Sequence, residues 1–344
     1  MTVLCLLRIP PAASTIPIVA GWLLFMGMAL TLCGCHTSST GPLLIFKDTV
    51  TLSNGTVRIG VAPSVGRIVD FGWVGSANRL WINRQEVIDR AMASDTSQWL
   101  NYGGDRIWPT QEMVLALANG VSFSSSAYDG SPWTLVEQSE RRLVMRSADY
   151  PNLGIRIERR VELKDDGTVV ITNRIERYQD NPVPCMVWSI TQVPQPEFCL
   201  LGLWLTQPFP ERPLTCWSPD VKARVIARGK AARLDWAPGQ KIKAGTFGSW
   251  VAGVYSDVIL LQVMDDDAKA CYPDCATVEV YRCPDYVELE TLGGSRHLKA
   301  GERMENTVRW RLVARPPGRT DDALVEFLER KAACGRMPAA NGDL

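Results

Sequence analysis

Along most of the chain, apolar and polar residues alternate with a period of two. Ile155, Ile157, Val161 and Leu163 share one parity, Asp165-Asp166-Gly167 interrupts them, and Val169, Ile171 and Ile175 resume on one face. That is the pattern of a β-hairpin closed by an Asp-Gly turn. Runs of the same character cover residues 49–61, 66–73, 133–147, 183–191, 250–264, 277–282, 286–291 and 307–313. In the last of these Val308, Trp310 and Leu312 point one way, and Arg309 and Arg311 the other. Nine or more strands with no helical period between them predict an all-β architecture of two large packed sheets.

One helix stands out near the end. Thr320 is placed to cap it, Asp321 and Asp322 favour its N-terminus, residues 323–333 are helix formers, and Gly335 is placed to stop it. Residues 83–91 form a second, weaker helical stretch. Neither a linker rich in Pro and Gly nor a repeat divides residues 45–315, which predicts one domain followed by a short C-terminal helix and tail over 316–344.

The N-terminus carries a different signal. Arg8 is the lone charge in the first thirty-five residues, and an apolar run over 16–32 follows it, broken by Pro17, Gly21, Gly27 and Thr31. This is the anatomy of a secretory leader. Leu32-Cys33-Gly34-Cys35 resembles a bacterial lipobox, giving a signal peptide over 1–34, a lipidated Cys35 and a tether over 35–44. The competing reading is an uncleaved membrane anchor. Both place the folded part outside the cytoplasm, in the bacterial cell envelope facing the periplasm or the exterior.

Charge narrows the partners. The chain has 37 basic and 37 acidic residues, and loss of Arg8 with the leader leaves the remainder near −1. Nucleic acid is therefore not expected as a partner, and the expected membrane contact runs through the lipid at Cys35 rather than a polybasic surface. Seven cysteines remain beyond the lipobox, Cys185, Cys199, Cys216, Cys271, Cys275, Cys283 and Cys334, an odd number. Cys271 and Cys275 suit either a small disulfide loop or buried thiols. The two histidines, His36 and His297, join no Cys/His ligand set, so neither a metal nor a cofactor is expected.

Twelve tryptophans are more than average, and two clusters combine aromatic with polar chemistry. Asn101-Tyr102-Gly103-Gly104-Asp105-Arg106-Ile107-Trp108-Pro109-Thr110-Gln111 joins a glycine pair to directed donors and acceptors. It suits a sugar, whose hydroxyl rim needs paired hydrogen bonds and whose C–H face stacks on indole; it equally suits a structural Gly-Gly turn with Trp108 as a core plug. On the strand around Tyr286-Val287-Glu288-Leu289-Glu290-Thr291, Tyr286, Glu288 and Glu290 share one face. Two carboxylates there suit general acid–base work, because crowding raises a pKa; the alternative is a solvated strand face. Asp265-Asp266-Asp267 reads as a solvated hairpin end rather than a calcium loop. No Gly-x-Ser-x-Gly elbow or phosphate-binding loop occurs, and Ser295 and His297 lie too close in sequence to set a triad.

These residues carry a resemblance. Gly66-Arg67-Ile68-Val69, Asn78-Arg79-Leu80-Trp81, the Gly103 to Pro109 stretch, Asp129-Gly130-Ser131-Pro132-Trp133, Trp188-Ser189-Ile190-Thr191-Gln192 and Glu288-Leu289-Glu290-Thr291-Leu292, with Gly301 downstream, resemble the galactose mutarotase-like superfamily, in order over roughly residues 45–315. More narrowly they resemble the bacterial DUF4380 family of that fold. The resemblance implies a β-supersandwich whose groove binds a hexose or glycan. It implies Glu290 as the base that takes the anomeric proton, with Glu288 beside it. The same resemblance implies a mid-chain histidine as acid, yet the corresponding stretch 182–193 holds Trp188 and no histidine. Tyr286, Tyr272 and His297 are the substitute acids available, and Arg106 and Lys243 are placed to stabilise charge. The expected lining is Asn101, Gly103, Gly104, Arg106, Trp108, Gln111, Trp133, Trp188, Lys243 and Tyr272.

Three functions follow from this reading: a carbohydrate-binding envelope lipoprotein with altered or lost epimerase activity, an active aldose epimerase or related sugar-modifying enzyme using Glu290, or a structural envelope protein whose aromatics fill the core.

Overall fold

The computed structural model describes residues 46–86, 89, 100–111, 129–204, 213–218, 221–265 and 270–334. The chain divides into two units, Met1–Ser39 and Thr40–Leu344. The first lies outside the described residues, and with it Cys35.

The second unit is built from nineteen strands among the described residues. In chain order these are β1 (Val50–Ser53), β2 (Val57–Ala62), β3 (Arg67–Trp73), β4 (Asp105–Trp108), β5 (Thr134–Gln138), β6 (Arg142–Arg146), β7 (Ile155–Leu163), β8 (Val169–Arg177), β9 (Trp188–Val193) and β10 (Phe198–Gly202). They continue as β11 (Thr215–Cys216), β12 (Lys222–Ile226), β13 (Ala231–Asp235), β14 (Ile242–Thr246), β15 (Trp250–Val254), β16 (Val258–Met264), β17 (Val278–Arg282), β18 (Val287–Leu292) and β19 (Arg303–Ala314). A helix, α1 (Asp321–Ala333), ends the described chain.

Sheet 1 runs β1-β2-β3-β4-β9-β18-β17-β14-β11, and sheet 2 runs β12-β13-β10-β15-β16-β19-β8-β7-β6-β5. The β7–β8 hairpin forms where the alternation predicts it. Leu163 faces Val169 and Val161 faces Ile171, and the turn closes on Gly167 at φ 80° while Asp166 Oδ1 accepts the Thr168 amide at 2.9 Å. Two of the long apolar runs are hairpins rather than single strands: 49–61 turns at Asn54-Gly55 between β1 and β2, and 250–264 turns between β15 and β16. The Asn101–Gln111 cluster, outside the strand runs expected from sequence, contains a four-residue strand, β4.

The inner faces of the sheets meet in one core that includes Ile59, Ile68, Ile107, Val280 and Leu289 from sheet 1 and Leu143, Ile157, Ile171, Leu260 and Trp310 from sheet 2. Phe71 and Trp310 touch across it with ring centroids 5.4 Å apart. A buried polar bridge interrupts the apolar layer: Arg159 Nη1 lies 2.9 Å from Asp105 Oδ1, Thr191 Oγ1 donates to Asp105 Oδ2 at 2.7 Å, and Gln262 Nε2 donates to Thr191 Oγ1 at 2.8 Å. Such a bridge is stable only when its members satisfy one another, so it holds β4 and β9 against β7 and β16 in a single register.

Helix α1 lies on the outer face of sheet 2. Thr320 Oγ1 accepts from the Ala323 amide, Asp321 and Asp322 occupy the first turn, and Leu324, Val325, Leu328 and Ala332 pack with Leu200, Trp250, Ile259 and Leu261. Gly335 falls outside the described residues, as do residues 87, 88, 90 and 91 of the second helical stretch, of which residues 84–86 and 89 are helical. All seven described cysteines are free thiols; Cys271 and Cys275 are exposed, which corrects both the disulfide and the buried-thiol expectation for that pair. No described helix is long and apolar enough to cross a membrane. Asp265 takes the Arg309 guanidinium at 2.6 and 2.9 Å, while Asp266 and Asp267 are outside the described residues.

Candidate functional site

Strands β4, β9, β18, β17 and β14 lie side by side in sheet 1. Their alternation sends Ile107, Val193, Val287, Leu289, Val278 and Val280 into the core, so the residues between them project from the opposite face. Antiparallel register brings these into rows. One row runs Arg106, Ile190, Glu290, Glu279, Gly245; the next runs Gln192, Glu288, Tyr281, Lys243; a third holds Trp108, Trp188 and Leu292.

Charge in these rows is buried and unevenly paired. Glu279 and Glu290 stand directly opposite on β17 and β18, 0% and 1% exposed. Lys243 Nζ lies 3.0 Å from Glu279 Oε2 and 3.8 Å from Glu290 Oε2, between the rings of Trp188 and Trp217 at 4.9 and 5.4 Å. Trp188 Nε1 donates to Glu290 Oε2 at 2.8 Å. Beside them Glu288 Oε1 accepts from Gln192 Nε2 at 2.8 Å and from Arg106 Nη2 at 3.2 Å. Asp129 supports the arrangement, taking Arg67 Nη2 at 2.5 Å and Trp108 Nε1 at 3.3 Å, with Arg106 Nε 3.6 Å away.

Burial decides the protonation here. It pushes the Glu288 carboxyl up to about 7, against the opposing Arg106 and with help from the Glu290 charge. Glu279 is raised well above the usual carboxylate range by burial and then by Glu290. Burial works against the Lys243 ammonium, but Glu290 and Glu279 outweigh it and hold the amine charged. Lys243 is therefore a fixed cation, and Glu288 is a carboxyl that exchanges its proton near neutral pH.

The structure gathers Arg106, Trp108, Trp188, Lys243, Glu288 and Glu290 on this face and places other expected residues elsewhere. Trp133 belongs to the inter-sheet core, where a Cβ on Gly66 would lie 2.4 Å from its Nε1. The glycine pair serves the backbone: Gly103 and Gly104 have φ 83° and 72°, and a Cβ would meet Trp81 O or Ile68 O at 2.3 Å. Asn101 is a support, its Oδ1 lying 3.4 Å from both the Gly103 amide and Arg106 Nη1. Gln111 donates to Asp274 Oδ1 at 2.7 Å, and Tyr272 packs with Trp204 and Phe247. His297 is exposed in the β18–β19 loop and has no hydrogen bond or ion pair among the described residues. Of the substitute acids, Tyr286 is held above its usual range by burial and by Glu288, which makes it a poor proton donor.

Sequence reasoning passed over Gln192, Asp129, Glu279 and Trp217. The first two sit inside stretches singled out for their resemblance, while Glu279 shows itself only through its register with Glu290.

Neither a family model nor a curated protein sequence matches the chain. Solved structures do. A galactose mutarotase-like protein from Lactobacillus casei ATCC 334 aligns with a TM-score of 0.51 at 10% identity, covering 77% of this chain and 100% of its own. The fold is galactose mutarotase-like. A second galactose mutarotase-like protein, from Clostridium acetobutylicum, matches with a TM-score of 0.47 at 10% identity over 78% of this chain and 95% of its own. In the galactose mutarotase-like sandwich seen here, the charged and aromatic rows occupy the face of sheet 1 turned away from the core.

Proposed function

We propose that this chain is a carbohydrate-binding protein of the cell envelope, anchored through a lipid at Cys35, whose sugar site is the outer face of β4, β9, β18, β17 and β14. The observation that carries the reading is the pairing of Glu279 with Glu290. Two acidic side chains placed directly across a sheet and both buried are costly, since they either repel as charges or force one to hold its proton, and burial with Glu290 raises Glu279 in that direction. Glu279 Oε1 and Gln192 Oε1, also buried, have no hydrogen-bond partner among the described residues. Acceptors of this kind are matched by hydroxyl donors, and indoles beside them suit the C–H face of a sugar ring. The galactose mutarotase-like fold and the DUF4380-like stretches support the same reading.

A purely structural role in the envelope draws support from the burial of Trp108, Trp133, Trp188 and Glu290, but it gives no account of two buried acidic side chains facing each other in that position. Epimerase chemistry is the second reading, favoured by Glu288. Its Oε1 accepts from Arg106 and Gln192, and its proton exchanges near neutral pH. Glu288 then supplies the acid that the missing histidine would have been, and Glu290 the base.

Titration of the folded protein with a glycan panel, followed by Trp fluorescence, tests the primary reading. Binding that weakens by at least about tenfold in Glu290→Gln is expected, from loss of a charged hydrogen-bond acceptor. A folded protein that responds to no glycan overturns it. Polarimetry on freshly dissolved sugars with the same two proteins separates binding from epimerase activity, and mass spectrometry of membrane-extracted protein reads acylation at Cys35.

A further inference from the structure

Three half-buried rings lie beside the site and play no part in the reading above: Trp81, Tyr281 and Tyr286. Trp81 is fixed by its backbone, its amide donating to Gln192 O at 2.9 Å, which sets the indole next to the residue that bonds Glu288. Tyr286 precedes β18 on the parity of Glu288 and Glu290. Tyr281 faces Glu288 directly from β17. The Trp81 and Tyr286 ring centroids are 4.6 Å apart, and those of Tyr281 and Tyr286 are 6.4 Å apart. Burial and the nearby Glu288 charge keep the Tyr286 hydroxyl protonated, so it remains a hydrogen-bond donor as well as an apolar surface.

A cluster that only filled the sandwich core would lie on the other parity with Val287 and Leu289, and it would be fully covered. These rings are on the site's face and are not. Tyr286 and Glu290 are four positions apart, about 13 Å between Cα atoms at the rise of an extended strand. That exceeds the length of one six-membered sugar ring. The Glu279–Glu290 pair and the Trp81–Tyr286 pair are therefore spaced for two neighbouring sugar units rather than one, with Glu288 between them.

We infer that the Trp81–Tyr286 pair, flanked by Tyr281, is a second sugar subsite, and that the ligand is an oligosaccharide of at least two units. The inference rests on the carbohydrate reading and extends it. One ring is held among Glu290, Glu279, Lys243 and Trp188 by its hydroxyls, and the next stacks its C–H face on the Trp81 and Tyr286 rings. Stacking on aromatic side chains is tolerant of which hydroxyls are axial, so this subsite contributes affinity for chain length more than for sugar identity.

The test compares glucose, galactose, mannose and N-acetylglucosamine with maltose, cellobiose, lactose, mannobiose and chitobiose, by calorimetry on wild type and Trp81→Ala. At least one disaccharide is expected to bind wild type about tenfold or more tightly than its component monosaccharides, and that ratio is expected to fall toward one in Trp81→Ala. Monosaccharides that bind while disaccharides bind no better overturn the second subsite and leave the carbohydrate reading standing. A disaccharide advantage that survives in Trp81→Ala overturns its placement. A wild type that binds neither class overturns both readings. The wild-type comparison needs no variant, so a Trp81→Ala protein that fails to fold still leaves the inference open to refutation.

Discussion

Two faces of this sandwich carry acids and bases across neighbouring strands and put them to opposite uses. On the outer face of sheet 2, register sets Arg146 opposite Glu158, Glu158 opposite Arg174, and Arg174 opposite Glu305, so the signs alternate from strand to strand. The matching ion pairs measure 2.8, 3.4 and 2.5 Å, with side chains 17% to 45% exposed. On the outer face of sheet 1, Glu290 meets Glu279 head-on in the dark of the fold, and one lysine serves both. The first arrangement obeys the cross-strand rule for stability, and the second breaks it. Sequence composition does not distinguish the two faces; register and burial do. The consequence shows in titration, since Glu162 on the sheet 2 face is held below the usual carboxylate range by its bond to Lys164, whereas burial drives Glu288 and Glu279 upward.

The sharpest way to break the comparison is to remove the shared cation. Lys243→Met leaves Glu279 and Glu290 facing each other without compensation, and a loss of about 3–5 kcal/mol in unfolding free energy is expected by denaturant titration. Adding Glu279→Gln to that variant should restore most of the loss, because two acidic side chains no longer face each other. Equal stability of Lys243→Met and wild type would mean that the two carboxyls are protonated or solvated and that the site is not strained.

Protonation gives the next largest effect. Glutamate in an unfolded chain titrates near 4.3, roughly, and Glu288 in the fold at about 7, so the folded state holds its proton more tightly. The stability this contributes is complete below the unfolded value and is lost as pH rises through 7, a fall of about 4 kcal/mol between the two. Glu279 shifts in the same direction and adds to the trend. Unfolding free energies measured from pH 5 to 8 should therefore decline toward pH 8, and more steeply in wild type than in Glu288→Gln. A parallel decline in both proteins would assign the trend to other groups.

Much of this was legible before the fold was known, and what was hidden has a physical cause. The β7–β8 hairpin, the Trp310 strand and α1 announce themselves through period and turn or cap residues, because those signals are local. The common face of Tyr286, Glu288 and Glu290 is equally local. Strand β4 is not legible, since four residues give the alternation too little length. Strand β10 is buried on both faces and shows no alternation at all. Trp133 and Trp188 look alike as residues, yet one fills the core and the other bonds Glu290, and only the packing of Gly66 against Trp133 separates them. The Glu279–Glu290–Lys243 triad unites three strands through register, which no single segment encodes.

The smallest effect belongs to the ordered ladder, and it is what makes the contrast informative. Arg174 bridges Glu158 and Glu305 on a face open to water, so both of its partners can recover solvation when it is removed. Arg174→Ala should cost no more than about 1 kcal/mol, the range of exposed pairs. That cost should shrink further at 1 M salt, where the screening length falls to about 3 Å. The buried triad should respond to the same salt far less, since its charges lie beneath the surface that ions reach. If Arg174→Ala and Lys243→Met proved equally costly and equally salt-sensitive, the two faces would be one kind of surface. The Glu279–Glu290 pair would then lend no support to the proposed sugar site.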